Sequence, residues 1–416
     1  MRPDISILSA TDRDDPAADR LHWRAVDLWI ENKKDDSYDV FRDLEEMKEE
    51  AKAKQNLTSH INWTKTAYKV SGQLIAYATA IHRCQFRVFS FSVALFGETG
   101  RLLRWDRSGI VYTKPFNWYT EQETFFEFLW RLNHLPDVDR GYDTTVISAR
   151  GDEADTALLK LKTYPGFEDV KVEDLHKFLV RDDCTSKGRI KYYITPRAIW
   201  DSETLFGRST MGYIAYDVET TNLVYLKDFW RTDLPGFQSE GDVYRELQEA
   251  QVSNIAKLGL AGDVPKKLDC TDADDPSDVQ RTRTQEFVRG FGGGHDWCPG
   301  RPCVSPYVHY RLVLETLGRP LTTFKSTRQL CEVIRDALVG AWGSWLSTGL
   351  ANEISVAAHT EAYDRVQILH RDVSAGNILI TEEGSGVLID WDLSKKVVKD
   401  GSAKQRQHSR TVRQSG

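Results

Sequence analysis

The 416-residue sequence is poor in cysteine, methionine and proline, with 6, 3 and 13 of them. Its cysteines, Cys84, Cys184, Cys270, Cys298, Cys303 and Cys331, are scattered and form no spaced disulfide framework, which points to a reducing compartment. No apolar run reaches the ~18 residues of a membrane span. The opening residues, MRPDISILSATDRDD, turn acidic before an apolar segment develops, which argues against a secretory signal and for an intracellular protein, cytoplasmic or nuclear. An excess of basic charge is missing too. With 55 Lys+Arg against 62 Asp+Glu the net charge is −7, so wholesale binding to nucleic acid or anionic lipid is not expected. The local exception is a basic stretch from Lys395 to Gly416.

The length allows two to three domains at roughly 150 residues each. Residues 1–135 read as an α/β domain: strands at Asp4 to Leu8 and Val26 to Glu31, a polar helix at Asp43 to Lys54, and a helix at Gln73 to Ile81. A hairpin, Phe86 to Leu95 and Arg101 to Tyr112, turns at Gly97 to Gly100, and a Phe- and Trp-rich helix from Glu121 to Leu135 closes the domain. Trp105, Trp118 and Trp130 are expected in the core. Residues 136–188 read as a connector with short elements. Residues 189–318 form a second α/β unit, with a hairpin from Tyr213 to Lys227 and a helix from Ser239 carrying Val243, Tyr244 and Leu247 on one face. Within it, residues 261–305 are rich in Asp and Gly and read as a surface loop or disordered insert. Tyr310 to Glu315 reads as a buried strand. The remainder, 319–416, starts with a helix whose N-terminus carries a capping box of Ser326 and Gln329.

The sharpest signal is Ile368-Leu-His-Arg-Asp-Val-Ser-Ala-Gly-Asn-Ile-Leu-Ile380, followed by Gly386-Val-Leu-Ile-Asp-Trp-Asp392. Two short strands flanking a polar loop bring Asp372, Asn377 and Asp390 around one point. Phosphoryl transfer needs such a set: a carboxylate to orient an acceptor hydroxyl and take its proton, and oxygen ligands for a divalent metal.

These motifs resemble the protein-kinase-like superfamily, and most closely the fungal-type protein kinases, over roughly residues 190 to 416. The resemblance implies a bilobal α+β fold and an ATP- and Mg²⁺-dependent transfer of the γ-phosphoryl group to a Ser or Thr hydroxyl of a protein. It makes Asp372 the base, with Arg371 in the same motif, and Asn377 and Asp390 the metal ligands. Gly207 and Gly212 would shape a loop over the phosphates, although the middle glycine of the usual pattern is absent. Lys227 would grip the phosphates, Glu240 would orient Lys227, and Glu315 and Leu317, in the strand-to-linker segment Leu312 to Gly318, would border the adenine.

Two departures keep other readings open. Ser374 stands where Ser/Thr kinases carry a lysine, as in small-molecule kinases. Only the short basic tail follows Asp392, which suggests a truncated C-lobe and hence a catalytically impaired pseudokinase acting as a binding module. The insert Val339 to Val356 and the end Thr411 to Gly416 have the character of gene-model artefacts.

A weaker constellation lies near the N-terminus. Glu31 and Lys33, two apart on a strand, share a face on which Asp4 of a neighbouring strand can join them. With Pro3 this resembles the PD-(D/E)xK restriction-endonuclease-like folds, which implies a metal-dependent nuclease or its relic, with nucleic acid as a partner of this domain alone; the helix carrying Gln73 and Tyr77 fits. His295, Cys298 and Cys303 lack a fourth ligand for zinc.

Overall fold

The computed structural model describes residues 2–8, 23–43, 61–183, 189–267, 278–290, 304–338 and 358–397. Its helices are α1 (Lys65–Cys84), α2 (Gln122–His134), α3 (Asp152–Leu161), α4 (Glu240–Glu249), α5 (Thr284–Gly290), α6 (Thr327–Leu338) and α7 (Ala358–Val366). The chain divides into two compact units, one of Met1–Phe237 with Gly259–Val313, the other of Gln238–Leu258 with Leu314–Gly416.

Among the described residues the first unit contains two sheets. The N-terminal sheet runs in the order β1 (Ile5–Leu8), β2 (Val26–Lys33), β3 (Ser90–Phe96), β4 (Thr99–Asp106) and β5 (Gly109–Tyr112), with β6 (Phe116–Asn117) beside β4. All its pairings are antiparallel except β2 with β3. A parallel pair needs a crossover connection, and α1 lies in it. The helix begins where Thr64 caps the Ala67 amide at 3.3 Å and buries Ala67, Val70, Leu74, Tyr77, Ala78 and Ile81 at three- and four-residue spacing. These pack on Trp29, Phe96 and Trp105. On the opposite face α2 lays Phe125, Phe128, Leu129 and Leu132 over Leu28, Ile30, Val93 and Leu95. Trp105 is buried, whereas Trp130, expected in the core, is 62% exposed on the outer side of α2. The polar helix expected at Asp43 to Lys54 lies outside the described residues beyond position 43.

The second sheet comprises β7 (Val146–Ser148), β8 (His176–Arg181), β9 (Ile190–Thr195), β10 (Trp200–Asp201), β11 (Met211–Asp217), β12 (Leu223–Thr232), β13 (Leu258–Asp263) and β14 (Tyr307–Leu314). Its order is β13-β14-β12-β11-β9-β8-β7, with β10 beside β11. The stretch 136–188 thus contributes β7, α3 and β8, with Phe178, Leu179 and Val180 fully buried.

One layer of this sheet is polar. Arg311, fully buried, bonds Asp143 at 2.6 Å, Asp228 at 3.1 Å, Thr145 Oγ1 at 2.8 Å and the Leu179 carbonyl at 2.7 Å. His309 bridges Asp228 and Gln280, and Gln280 donates to Asp143 at 2.6 Å. Burial opposes ionisation of Asp228, but His309 and Arg311 outweigh it and hold its pKa at about 2. This network corrects the expectation of a surface loop across 261–305: Ala261, Val264, Val279, Gln280, Thr282 and Thr284 are buried. Asp106 accepts from the Arg283 and Thr284 amides at 2.9 and 3.0 Å and so caps α5. The Asp-rich run 268–277 and the Gly-rich run 291–303, with His295, Cys298 and Cys303, lie outside the described residues.

In the second unit, Ser239 caps α4 through the Asp242 amide at 3.1 Å, and Val243, Tyr244 and Leu247 are buried on one face. A sheet of β15 (Arg319–Pro320), β17 (Ile378–Ile380) and β18 (Gly386–Leu388) packs on α6, and β16 (Ile368–Leu369) pairs with β19 (Lys395–Lys396). Gly386 is required by space, since a Cβ there would sit 2.1 Å from the Val333 carbonyl oxygen. Its amide donates to Asp336 at 3.1 Å. At α6, Ser326 accepts from the Gln329 amide at 3.1 Å, while Gln329 reaches back to the Lys325 amide at 2.8 Å, one residue earlier than a capping box requires. The whole insert Val339 to Val356, like the chain end, is outside the described residues.

Candidate active site

The loop from β16 to β17 holds Arg371, Asp372 and Asn377, and Asp390 follows β18. Their common anchor is His370, a residue absent from the candidates read from the motif. It is fully buried, with Nε2 2.9 Å from the Ile389 carbonyl and Nδ1 3.3 Å from the Asp372 amide. Nε2 therefore carries the proton and Nδ1 accepts, a neutral tautomer that suits the burial, which lowers the His370 pKa. The Trp391 ring meets the imidazole edge-on at 4.6 Å. Its signal in the sequence was its place between an apolar strand end and the charged pair Arg371-Asp372.

Asn377 donates its amide to the Asp372 carbonyl at 2.8 Å and to Asp372 Oδ2 at 3.3 Å. The Ile389 amide donates to the Asn377 carbonyl at 2.9 Å. These bonds hold the end of β18, and with it Asp390, against the loop. The backbone pays in strain: Arg371 and Asp390 have φ of 69° and 64°, a left-handed conformation that non-glycine residues adopt where the surroundings force it. Asp372, Asn377 and Asp390 are half-buried, and Arg371 is exposed.

Glu240 opens α4 and is buried, while Glu315 is exposed, ion-paired to Lys257 at 2.5 Å; Leu317 is half-buried. All these residues belong to the second unit.

The first unit holds Gly207, Gly212 and Lys227. β11 and β12 pair so that Gly212 lies opposite Lys227. A side chain at 212 would come within 2.3 Å of the Tyr225 hydroxyl, and Gly207 has φ of 91°. Lys227 is buried, with its ammonium 4.7 Å from the Phe229 ring centre.

The N-terminal candidates also converge. Asp4 accepts from the Asn32 amide at 2.8 Å, and Lys33 is ion-paired to Glu31 on the same face of β2. Burial pushes the Glu31 carboxyl up against the pull of Lys33, and its Oε2 is buried without a hydrogen-bond partner. Tyr77 of α1 donates to the Arg2 carbonyl at 2.7 Å; burial, Glu31 and Asp4 push its pKa up to about 12.

Among the described residues no group of three or more His, Cys, Asp and Glu side chains forms a metal cage, and no helix is long and apolar enough to cross a membrane. The donors at Asn377 and Asp390 are nevertheless hard oxygens of the kind Mg²⁺ takes, and that ion is commonly held by one or two carboxylates with water and phosphate completing its shell.

The fold and the loop define a protein-kinase-like α+β protein. A family model described as fungal protein kinase matches residues 25–413, and the chain belongs to that family. The match begins far upstream of the motif-bearing region, within the N-terminal module. Among solved structures the chain is similar to the ROP18 kinase domain in complex with AMP-PNP and sucrose, at 13% identity over 61% of this chain and 68% of that one, with a TM-score of 0.28. Among curated proteins nothing matches.

Proposed function

We propose that the protein is an ATP- and Mg²⁺-dependent kinase of protein Ser and Thr hydroxyls, acting inside the cell, in cytoplasm or nucleus. The observation that carries this reading is the Asp372–Asn377 contact locked to the end of β18 through His370 and Ile389. Asp372 accepts the proton of the acceptor hydroxyl as its oxygen attacks the γ-phosphorus and the bond to the β-phosphate oxygen breaks, releasing ADP. Asn377 keeps the Asp372 carboxylate oriented through its Nδ2, and Asn377 and Asp390 would hold the metal. Bound Mg²⁺ supplies charge neutralisation on the phosphates. By the family resemblance, Lys227 on the first unit would grip the phosphates, with Gly207 and Gly212 shaping the segment above them; the same resemblance gives Glu240 of the second unit the part of orienting such a lysine, and Glu315 and Leu317 that of bordering the adenine. In the test, Asp372→Asn removes ³²P transfer from ATP to a protein acceptor and leaves ATP·Mg²⁺ binding by calorimetry intact; retained transfer refutes the assignment. Transfer to hydroxylated metabolites but not to proteins points instead to a small-molecule kinase, and nucleotide binding without any transfer to a pseudokinase.

One further observation favours a second activity, or its relic, in the N-terminal module. The orphaned Glu31 Oε2 beside Asp4 and Lys33 is a carboxylate oxygen fit for a divalent cation, as the nuclease-like resemblance requires. Mg²⁺-dependent nicking of plasmid DNA that disappears in Glu31→Gln supports it, and nicking unchanged in that variant removes it.

A further inference from the structure

The segment that opens the glycine-rich turn is bound to the N-terminal sheet as firmly as any core residue. Leu205 is 2% exposed and sits in the hydrophobic cluster of Trp29, Leu74, Tyr77 and Trp105, with Phe206 packed against the same cluster. Arg107, in the tight turn between β4 and β5, grips the segment from both sides: its guanidinium donates to the Leu205 carbonyl at 3.0 Å, and its own carbonyl accepts from the Gly207 amide at 2.8 Å.

That turn is itself immobilised. Asp106 accepts from Ser108 and Thr284, and Ser108 bonds Thr282 at 2.6 Å and the Ser305 carbonyl at 2.7 Å. Arg107 is buried, and burial lowers its pKa to about 10, so the cost of placing a guanidinium there is real. Beyond Gly207, the Arg208 carbonyl accepts from the Trp230 amide at 2.8 Å, and Gly212 is in register with Lys227. Between Leu205 and Gly212 the backbone is therefore pinned at four positions.

We infer that Arg107 and Leu205 are positioning residues for nucleotide binding. They make the N-terminal module part of the machinery that presents the Gly207–Gly212 segment, because backbone already ordered before the nucleotide arrives need not be ordered by it. The inference rests on the kinase reading given above. The family match from residue 25, which takes in the N-terminal module, agrees with it.

The test compares Leu205→Ala with Leu74→Ala, an equally buried leucine of the same cluster on α1. Both variants lose thermal stability by similar amounts. Leu205→Ala alone weakens ATP·Mg²⁺ binding and raises KM for ATP by about tenfold with kcat changed less, about one residue's worth of backbone ordering. Hydrogen exchange at the Gly207 amide accelerates in Leu205→Ala and not in Leu74→Ala. Arg107→Met shows the same KM effect in weaker form, since the carbonyl of residue 107 still accepts from Gly207. Equal loss of ATP affinity in both leucine variants, or none in either, overturns the inference. If the parent protein binds no nucleotide, the kinase reading fails, and the exchange at Gly207 alone judges the anchor: unchanged exchange in Leu205→Ala overturns it, and acceleration confined to that variant upholds it.

Discussion

Two polar clusters in this chain use the same residue types for opposite ends. In the first unit Asp143, Asp228, His309 and Arg311 are buried, and their charged groups meet partners inside the sheet. In the second unit Asp372, Asn377 and Asp390 are half-buried, and the backbone around them is strained at Arg371 and Asp390. A satisfied network in relaxed strands serves the fold. Strain held next to partly accessible carboxylates is the pattern of a site, since folding alone gains nothing from it.

The contrast can be broken experimentally at either end. The largest effect is expected from Asp372→Asn, which should lower kcat by about 10²–10⁴-fold while the urea midpoint stays where it was, as measured by phosphoryl transfer and denaturation side by side. Next is Arg311→Met. It takes the guanidinium shared by Asp143 and Asp228 out of the buried layer and should cost about 3–5 kcal/mol in urea unfolding; a loss no greater than that of an average surface substitution would show the network to be dispensable.

Acid sharpens the comparison further. Burial lowers the pKa of His370, and His82, His176 and His359 are lowered by burial as well, each from an ordinary value of 6.5. Each binds its proton less readily in the folded chain than in the unfolded one, so below about 6.5 each of them lowers stability as pH drops. Asp228 acts lower. Its stabilisation is complete above 3.8 and is lost only as pH falls towards about 2. Against the histidines, burial raises the Asp183 pKa to about 7, which favours the folded chain as that carboxyl takes its proton. The check is therefore a difference: between pH 7.5 and 5.5 the urea midpoint of His82→Gln should fall less, or rise more, than the parent's, with the Asp228 network intact throughout that range. The smallest effect is expected at the exposed Arg328–Glu332 pair on α6, where Arg328→Ala should leave the melting temperature unchanged.

Apolar periodicity made much of this architecture legible. The β11–β12 hairpin, the start of α4 at Ser239, the strands flanking the loop of Arg371, Asp372 and Asn377, and the crossover helix α1 all announce themselves by spacing, turn residues or caps. The contacts among Asp372, Asn377 and Ile389 follow from two short strands around one loop. What stayed hidden has a common cause. Gln280, Thr282 and Thr284 look like loop residues by composition, and only Asp143, Asp106 and His309, far away in sequence, make them core. His370 is hidden for the same reason, since its partner is the Ile389 carbonyl, which no side-chain pattern encodes.

The order in which the ribosome makes the chain meets an interleaved plan. Residues 238–258 of the second unit emerge before Gly259–Val313 of the first, so the sheet that contains Arg311 stays incomplete while part of its neighbour is already made. No single cut in the chain yields either unit whole. A fragment ending at Phe237 would present β12 without β14 beside it and Asp228 without Arg311 or His309, leaving a charged, unpaired strand edge that invites association with other chains during synthesis.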